Sequence, residues 1–253
     1  MNRVLRILEP TALFACPFLL AALTVARVGS AALLSALVLL VALAPAIVGF
    51  ERARPRPRDF MPVVVLAALA IAGRLLFDAI PNFQPTTALI IVCGFVFGRR
   101  AGLMAGITAA LVSNLFLGQG LWTPWQMYCW GTVGYCAGLF PPTLQVRHAG
   151  LDPAPQTSEP GRRSDSGPKV GMAIPMYLYG VVASLAFGVL MDLQYFVGFN
   201  ADTGLSGLAT TLALGLPFNV AHAASTLVFL VLTLNPWGKK LTRLKTKYGL
   251  QDL

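Results

Sequence analysis

Apolar residues run in continuous blocks along the chain, and polar residues fall in short clusters between them. Eight blocks stand out, at about 10–27, 30–50, 60–78, 85–98, 101–117, 124–141, 172–197 and 209–236. Most approach the roughly 20 residues a helix needs to cross the hydrocarbon core of a bilayer. Every backbone amide in hydrocarbon needs an internal partner, so continuous blocks of this length predict helices. A membrane barrel would alternate apolar and polar positions, and these blocks do not. The expected fold is therefore an all-α integral membrane protein with eight transmembrane helices. The first block resembles a secretory signal, but it lacks a small-residue cleavage site and a second block follows almost at once, so it is read as a helix.

The polar clusters give the chain its divisions. Residues 1–50 hold two helices, and 51–59 form an Arg/Pro linker. Residues 60–236 hold a six-helix core, and 237–253 a basic tail. Within the core, 142–170 is rich in Pro, Ser and Gly, cannot bury enough apolar surface to fold, and reads as a flexible loop.

Composition supports the same class. The chain is 56% hydrophobic and 11% charged, whereas soluble domains carry about 25% charged residues. The net charge of +9 has an explanation in topology rather than in nucleic acid. With both termini inside, 17 of the 19 Lys and Arg residues fall on the cytoplasmic side, leaving Arg27 and Arg74 outside. This places the chain as a multi-pass protein of a prokaryotic plasma membrane. Cys16, Cys93, Cys129 and Cys136 all lie in apolar blocks without a C-x-x-C pair, so neither a disulfide framework nor a metal site follows from them.

Candidate chemistry gathers on the outer side. One cluster is the turn around Pro81, Asn82, Gln84 and Pro85. A second holds Asn114, Gln119, Trp122, Trp125, Gln126 and Trp130, with Thr123 expected to cap the helix that follows. Its tryptophans serve either as interface anchors or as the wall of a pocket. Aromatic faces with amides suit a flat, polar organic ligand. Asp192, Asn219 and His222 add polar groups within apolar blocks, where an ionisable residue is costly and is a functional candidate. Asn219 and His222, three apart, share a helix face. Small residues recur at four-residue spacing, as in Ala68 and Ala72, Gly102 and Gly106, Gly134 and Gly138, and Gly180, Ser184 and Gly188. Such stripes let helices approach closely, inside the bundle or against a separate partner. No protease, hydrolase or phosphate-loop signature is present, so no catalytic residue is assigned.

Residues 60 to about 140 resemble the substrate-binding S components of energy-coupling factor (ECF) vitamin transporters. The likeness rests on Gly73-Arg74, on the run from Pro81 to Ala88, on Phe97 to Gly102, on Ser113-Asn114, and on Gly118 to Met127 with its Trp-Thr-Pro-Trp-Gln-Met ending. The last block, with Leu216 to Ala223, is similar to the final helix of that group. The resemblance implies a non-enzymatic six-helix subunit that captures a vitamin or related micronutrient from outside. It implies docking on a transmembrane T component through Ala68 and Ala72, with ATP hydrolysed by two partner ATPases and no cofactor in this chain. Asn82 and Gln84 fall in the loop that covers substrate in such proteins, and the other candidates above become pocket residues. S components of this kind have been associated with cobalamin uptake. The two N-terminal helices are additions to the pattern. A self-sufficient secondary transporter and a structural or regulatory membrane protein are the alternatives the residues leave open.

Overall fold

A computed structural model describes residues 7–16, 19, 31–52, 56–140 and 174–250. The expected loop 142–170 and most of the first apolar block beyond Cys16 lie outside the described residues. The elements are α1 (Ile7–Cys16), α2 (Ala31–Arg52), α3 (Pro57–Leu76), α4 (Thr86–Phe97), α5 (Arg99–Leu117), α6 (Trp122–Ala137), α7 (Ile174–Tyr195) and α8 (Gly204–Tyr248). A wide helical turn at Phe196–Asn200 and a tight one at Ala201–Thr203 fold α8 back along α7. No strand occurs among the described residues. Among the described residues, three helical stretches are long and apolar enough to cross a membrane: α3, α5 and the run Ile174–Tyr248 that holds α7 and α8. The expected count of eight spans is thus met only in part.

The short central helix explains one shortfall. α4 has 12 residues, every one buried, and rises about 18 Å, well under the ~30 Å of a hydrocarbon core. A helix that is apolar all round belongs inside a bundle. The rest of the depth is taken up by the turn 77–85. Thr86 at the start of α4 donates its hydroxyl to the carbonyl of Ala70 (3.2 Å), well before the end of α3. The end of the turn therefore dips back between helices, with Pro85 buried, while residues 78–82 are exposed at its rim. Asn82 holds a left-handed φ of 57° there, a conformation Asn adopts more readily than most residues.

Glycines set how closely the helices meet. A Cβ on Gly94 or Gly102 would strike the carbonyl of Gly134, and one on Gly106 would strike that of Trp130. α4, α5 and α6 thus touch backbone to backbone, which in lipid supplies the packing that a hydrophobic drive cannot. The Gly180–Ser184–Gly188 stripe of α7 likewise faces α8, with Ser184 donating to Thr226 (2.7 Å). These stripes turn inward. Ala68 and Ala72 do not; both are exposed on the outer face of α3.

Two helix ends differ from expectation. α8 continues through Pro217 and Pro236 to Tyr248, so much of the expected basic tail is its last turns, stopped at Gly249 with φ 56°. Thr123 is not a cap: α6 begins one residue earlier, at Trp122, and the Thr123 hydroxyl is used elsewhere.

One end of the bundle gathers the basic residues. Lys245 donates to the Val96 carbonyl (2.6 Å), and Arg56 to that of Gly249 (3.1 Å). Arg100 pairs with the fully buried Glu9 of α1, and Arg99 lies 3.6 Å from the same carboxylate. This ion pair and the bond from the Tyr128 hydroxyl to the Leu13 carbonyl (2.5 Å) fasten α1 to the core. α2 packs through Leu39, Leu43 and Ala46 in one apolar cluster with Leu103, Ile107 and Trp125. The turns 77–85, 118–121 and 196–203 lie at the other end.

Candidate functional site

At that other end an apolar bundle holds a continuous polar network. Its hub is Arg74, in the last turn of α3 and 8% exposed. One guanidinium nitrogen, Nη1, donates to Ser113 Oγ (2.5 Å) and Asn114 Oδ1 (2.8 Å), while Nη2 donates to Gln126 Oε1 (3.3 Å). The same group lies 4.8 Å from the ring centre of Trp130, close enough for a cation–π attraction. Asn114, 1% exposed, turns its amide nitrogen to Thr123 Oγ1 (3.0 Å) and Gln126 Oε1 (2.8 Å). Thr123 in turn donates to Gln119 (2.8 Å). α5 supplies Ser113 and Asn114 before breaking at Gly118, and the first turns of α6 supply Thr123 and Gln126, so the chain reversal itself brings the groups together.

Trp130 carries the network across the bundle. Its Nε1 donates to Thr87 Oγ1 (3.0 Å), which also bonds the His222 Nε2 (2.7 Å). His222 is 4% exposed and meets the edge of Phe187, which packs against Trp130. One turn away on α8, Asn219 donates to Asp192 of α7 (2.7 Å). Asp192 also lines a cleft of about 630 Å³ with Tyr195, Asn200, Thr203, Ser206, Thr210, Thr211 and Phe218.

The turn 77–85 is latched over this assembly. Ser225 of α8 accepts from the Gln84 amide (2.8 Å) and donates to the Gln84 carbonyl (3.0 Å). Asn82 reaches the Phe218 carbonyl (3.4 Å), and Phe83 packs among Phe77 and Phe229. A single hydroxyl thus satisfies both backbone groups of one partly buried turn residue.

Of the residues expected from the sequence, Asn114, Gln119, Gln126, Trp130 and His222 meet in one network. Asn219 and Asp192 pair beside it, and Asn82 and Gln84 sit in the covering turn. Trp122 stands apart, 39% exposed, with its ring against Gly120. Trp125, 1% exposed, belongs to the apolar cluster where α2 packs. The sequence reading set Thr87, Ser113 and Thr123 within the polar clusters and Arg74 among the residues of the resemblance without giving any of them a place in the site, and it did not single out Ser225. Arg74 had a signal: a charge at membrane depth is a functional candidate in its own right, yet charge sorting treats it as an exception. Thr87, Ser113 and Thr123 had their place in the polar clusters, whereas Ser225 had no signal, because hydroxyls are common in buried helices.

Together these features define an all-helical membrane protein with a built polar site at one end of its bundle. The chain belongs to a family of unknown function, DUF6580, which it matches over residues 54–237, leaving α1 and α2 outside. It is similar to a UPF0397 protein of Vibrio atlanticus, 33% identical over 84 residues that cover 31% of this chain and 46% of that protein. UPF0397 proteins of Aliivibrio fischeri and Aliivibrio salmonicida match at the same identity over 84 residues, 31% of this chain and 45% of each. The chain thus spans less than half the length of these curated relatives. No solved structure matches it.

Proposed function

We propose that the chain is the substrate-capturing subunit of an ATP-driven ECF-type importer, taking a vitamin or related micronutrient from outside the cell. The observation that carries the reading is the buried network of Arg74, Asn114, Gln126, Trp130 and His222 beneath a turn held to α8 by Ser225, by Asn82 at its edge and by Phe83 against Phe229. Polar groups at that depth are expensive unless they serve a ligand or a path. The opposite end, with its basic residues, is then the cytoplasmic one. The Thr87 hydroxyl meets His222 Nε2 at 2.7 Å, but it is fully buried and also holds Trp130, and binding is what amides, an arginine and aromatic faces do. The ligand enters beneath the turn 77–85 when the Ser225 latch opens. The exposed Ala68 and Ala72 face of α3 docks the T component, and ATP is hydrolysed by the partner ATPases.

Uptake into liposomes is the test. The chain is reconstituted alone, with a T component and wild-type ATPases, and with ATPases unable to hydrolyse ATP. Accumulation only in the second case supports the proposal. Accumulation by the chain alone under an ion gradient would replace it with a secondary transporter. Ala68→Leu is expected to leave ligand retention intact, as read by native mass spectrometry, and to abolish uptake. Equal retention and uptake in that variant removes the docking assignment.

A further inference from the structure

The network's charges do not balance. Arg74 is surrounded by Ser113, Asn114, Gln126 and the face of Trp130, all neutral. No carboxylate forms an ion pair with it among the described residues; Asp78, whose field reaches it, is exposed in the turn. The partners are also oriented for a cation. Ser113 gives its own proton to the Ala109 carbonyl (2.6 Å), and the Gln126 oxygen accepts from both Asn114 and Arg74. Amide oxygens thus point inward at the guanidinium, fixing it without neutralising it.

The chain treats its other deeply buried arginine differently. Arg100, 6% exposed, meets the Glu9 carboxylate directly. A buried charge left without a counter-ion is strongly disfavoured, so the missing anion at Arg74 is a property that needs a source. The donor count shows where it fits. A guanidinium carries five N–H groups, and the network uses two on Nη1 and one on Nη2. That leaves Nε–H and the second Nη2–H, which share the edge that binds carboxylate or phosphate in a two-pronged fashion.

We infer that Arg74 is the anchor for an oxyacid group, a carboxylate or phosphate, on the captured molecule. Trp130, buried beneath the guanidinium, holds it from below and is itself oriented by Thr87 and, through it, by His222. This deepens the capture reading and rests on it: an imported micronutrient, if anionic, is recognised by its acid, and its neutral relative is rejected. The amide oxygens of Asn114 and Gln126 hold the guanidinium in place, and its own remaining N–H groups supply the charge that tells an acid from its neutral relative.

The test uses compounds that differ only in the acid. Nicotinate and nicotinamide, pantothenate and panthenol, biotin and its methyl ester, and riboflavin and its 5′-phosphate are titrated against the purified full chain in detergent. Binding is read by thermal shift and native mass spectrometry. For the pair that binds, the charged member is expected to bind at least about tenfold more tightly. Arg74→Gln erases the difference, and Arg74→Lys keeps part of it because it retains charge but not the fork. Equal binding of both members, or an unchanged preference in Arg74→Gln, overturns the inference and leaves capture standing. The comparison of pair members on the wild-type chain needs no variant, so a misfolded Arg74→Gln does not rescue it. A retained anionic lipid, phosphatidylglycerol over phosphatidylcholine, lost in Arg74→Gln and without response to any soluble acid, assigns the site to lipid and overturns the solute. Binding of cobalamin with no response to any acid overturns acid recognition and leaves capture standing, and binding of neither cobalamin nor any pair member to folded protein overturns capture itself.

Discussion

Arg100 and Arg74 are both buried arginines, and the two ends of the bundle treat them in opposite ways. At the basic end Arg100 meets Glu9, and the ion pair clamps α1 onto the core. At the other end Arg74 meets amides, a hydroxyl and an indole face. The first arrangement is complete within the chain and does structural work. The second holds a cation in place and leaves its charge unanswered. The difference teaches that burial of a charge does not by itself tell structure from function; the identity of its partners does.

Substitutions probe this contrast from the largest effect downward. Glu9→Gln should be the most damaging, because it leaves Arg100 buried without its anion, at a cost of about 3 kcal/mol. Loss of thermal stability in detergent reads it. Asn114→Ala removes bonds to Arg74, Thr123 and Gln126 at once and should cost about 2 kcal/mol, with the amides of the 118–123 turn exchanging faster. Ser225→Ala unlatches Gln84 and should cost about 1 kcal/mol; its signature is local, faster amide exchange at Gln84 with the rest of the bundle protected. Arg74→Gln should fall within about 1 kcal/mol of wild type, since it orphans no opposite charge, while losing acid recognition. A melting loss in Arg74→Gln as large as in Glu9→Gln would break the comparison and make Arg74 a structural residue. Asp192→Asn should be smallest, under about 0.5 kcal/mol, because the half-buried cleft residue keeps a hydrogen bond to Asn219 as an amide.

The α7–α8 pair shows what was legible and what was not. Its small-residue stripe was readable from spacing, and the contacts of Gly180 with Leu230 and Gly188 with Asn219 put it where such a stripe belongs. The length of α8 was not, because the hydropathy signal ends near 236 while the helix continues on charged turns that pack against the basic end. The second polar cluster was readable as a cluster, since Asn114, Gln119 and Gln126 lie within one chain reversal. Its division was not: Trp125 and Trp130 are five residues apart and share the apolar cluster at α2, yet it is Trp130 that donates to Thr87.

The sequence by itself determined the class of fold, the approximate helices and the collection of basic residues at one end. These follow from local hydrophobicity and from charge between blocks, and neither depends on which faces meet. Only the tertiary structure decided that Thr87 lies between Trp130 and His222, 135 residues further along the chain from it, and that Ser225 holds Gln84. It also decided that, among the described residues, one buried arginine has a carboxylate and the other does not. Those pairings depend on helix rotation and depth, which are set by backbone contact at Gly94, Gly102 and Gly134, and close packing of that kind is a property of the assembled bundle rather than of any segment.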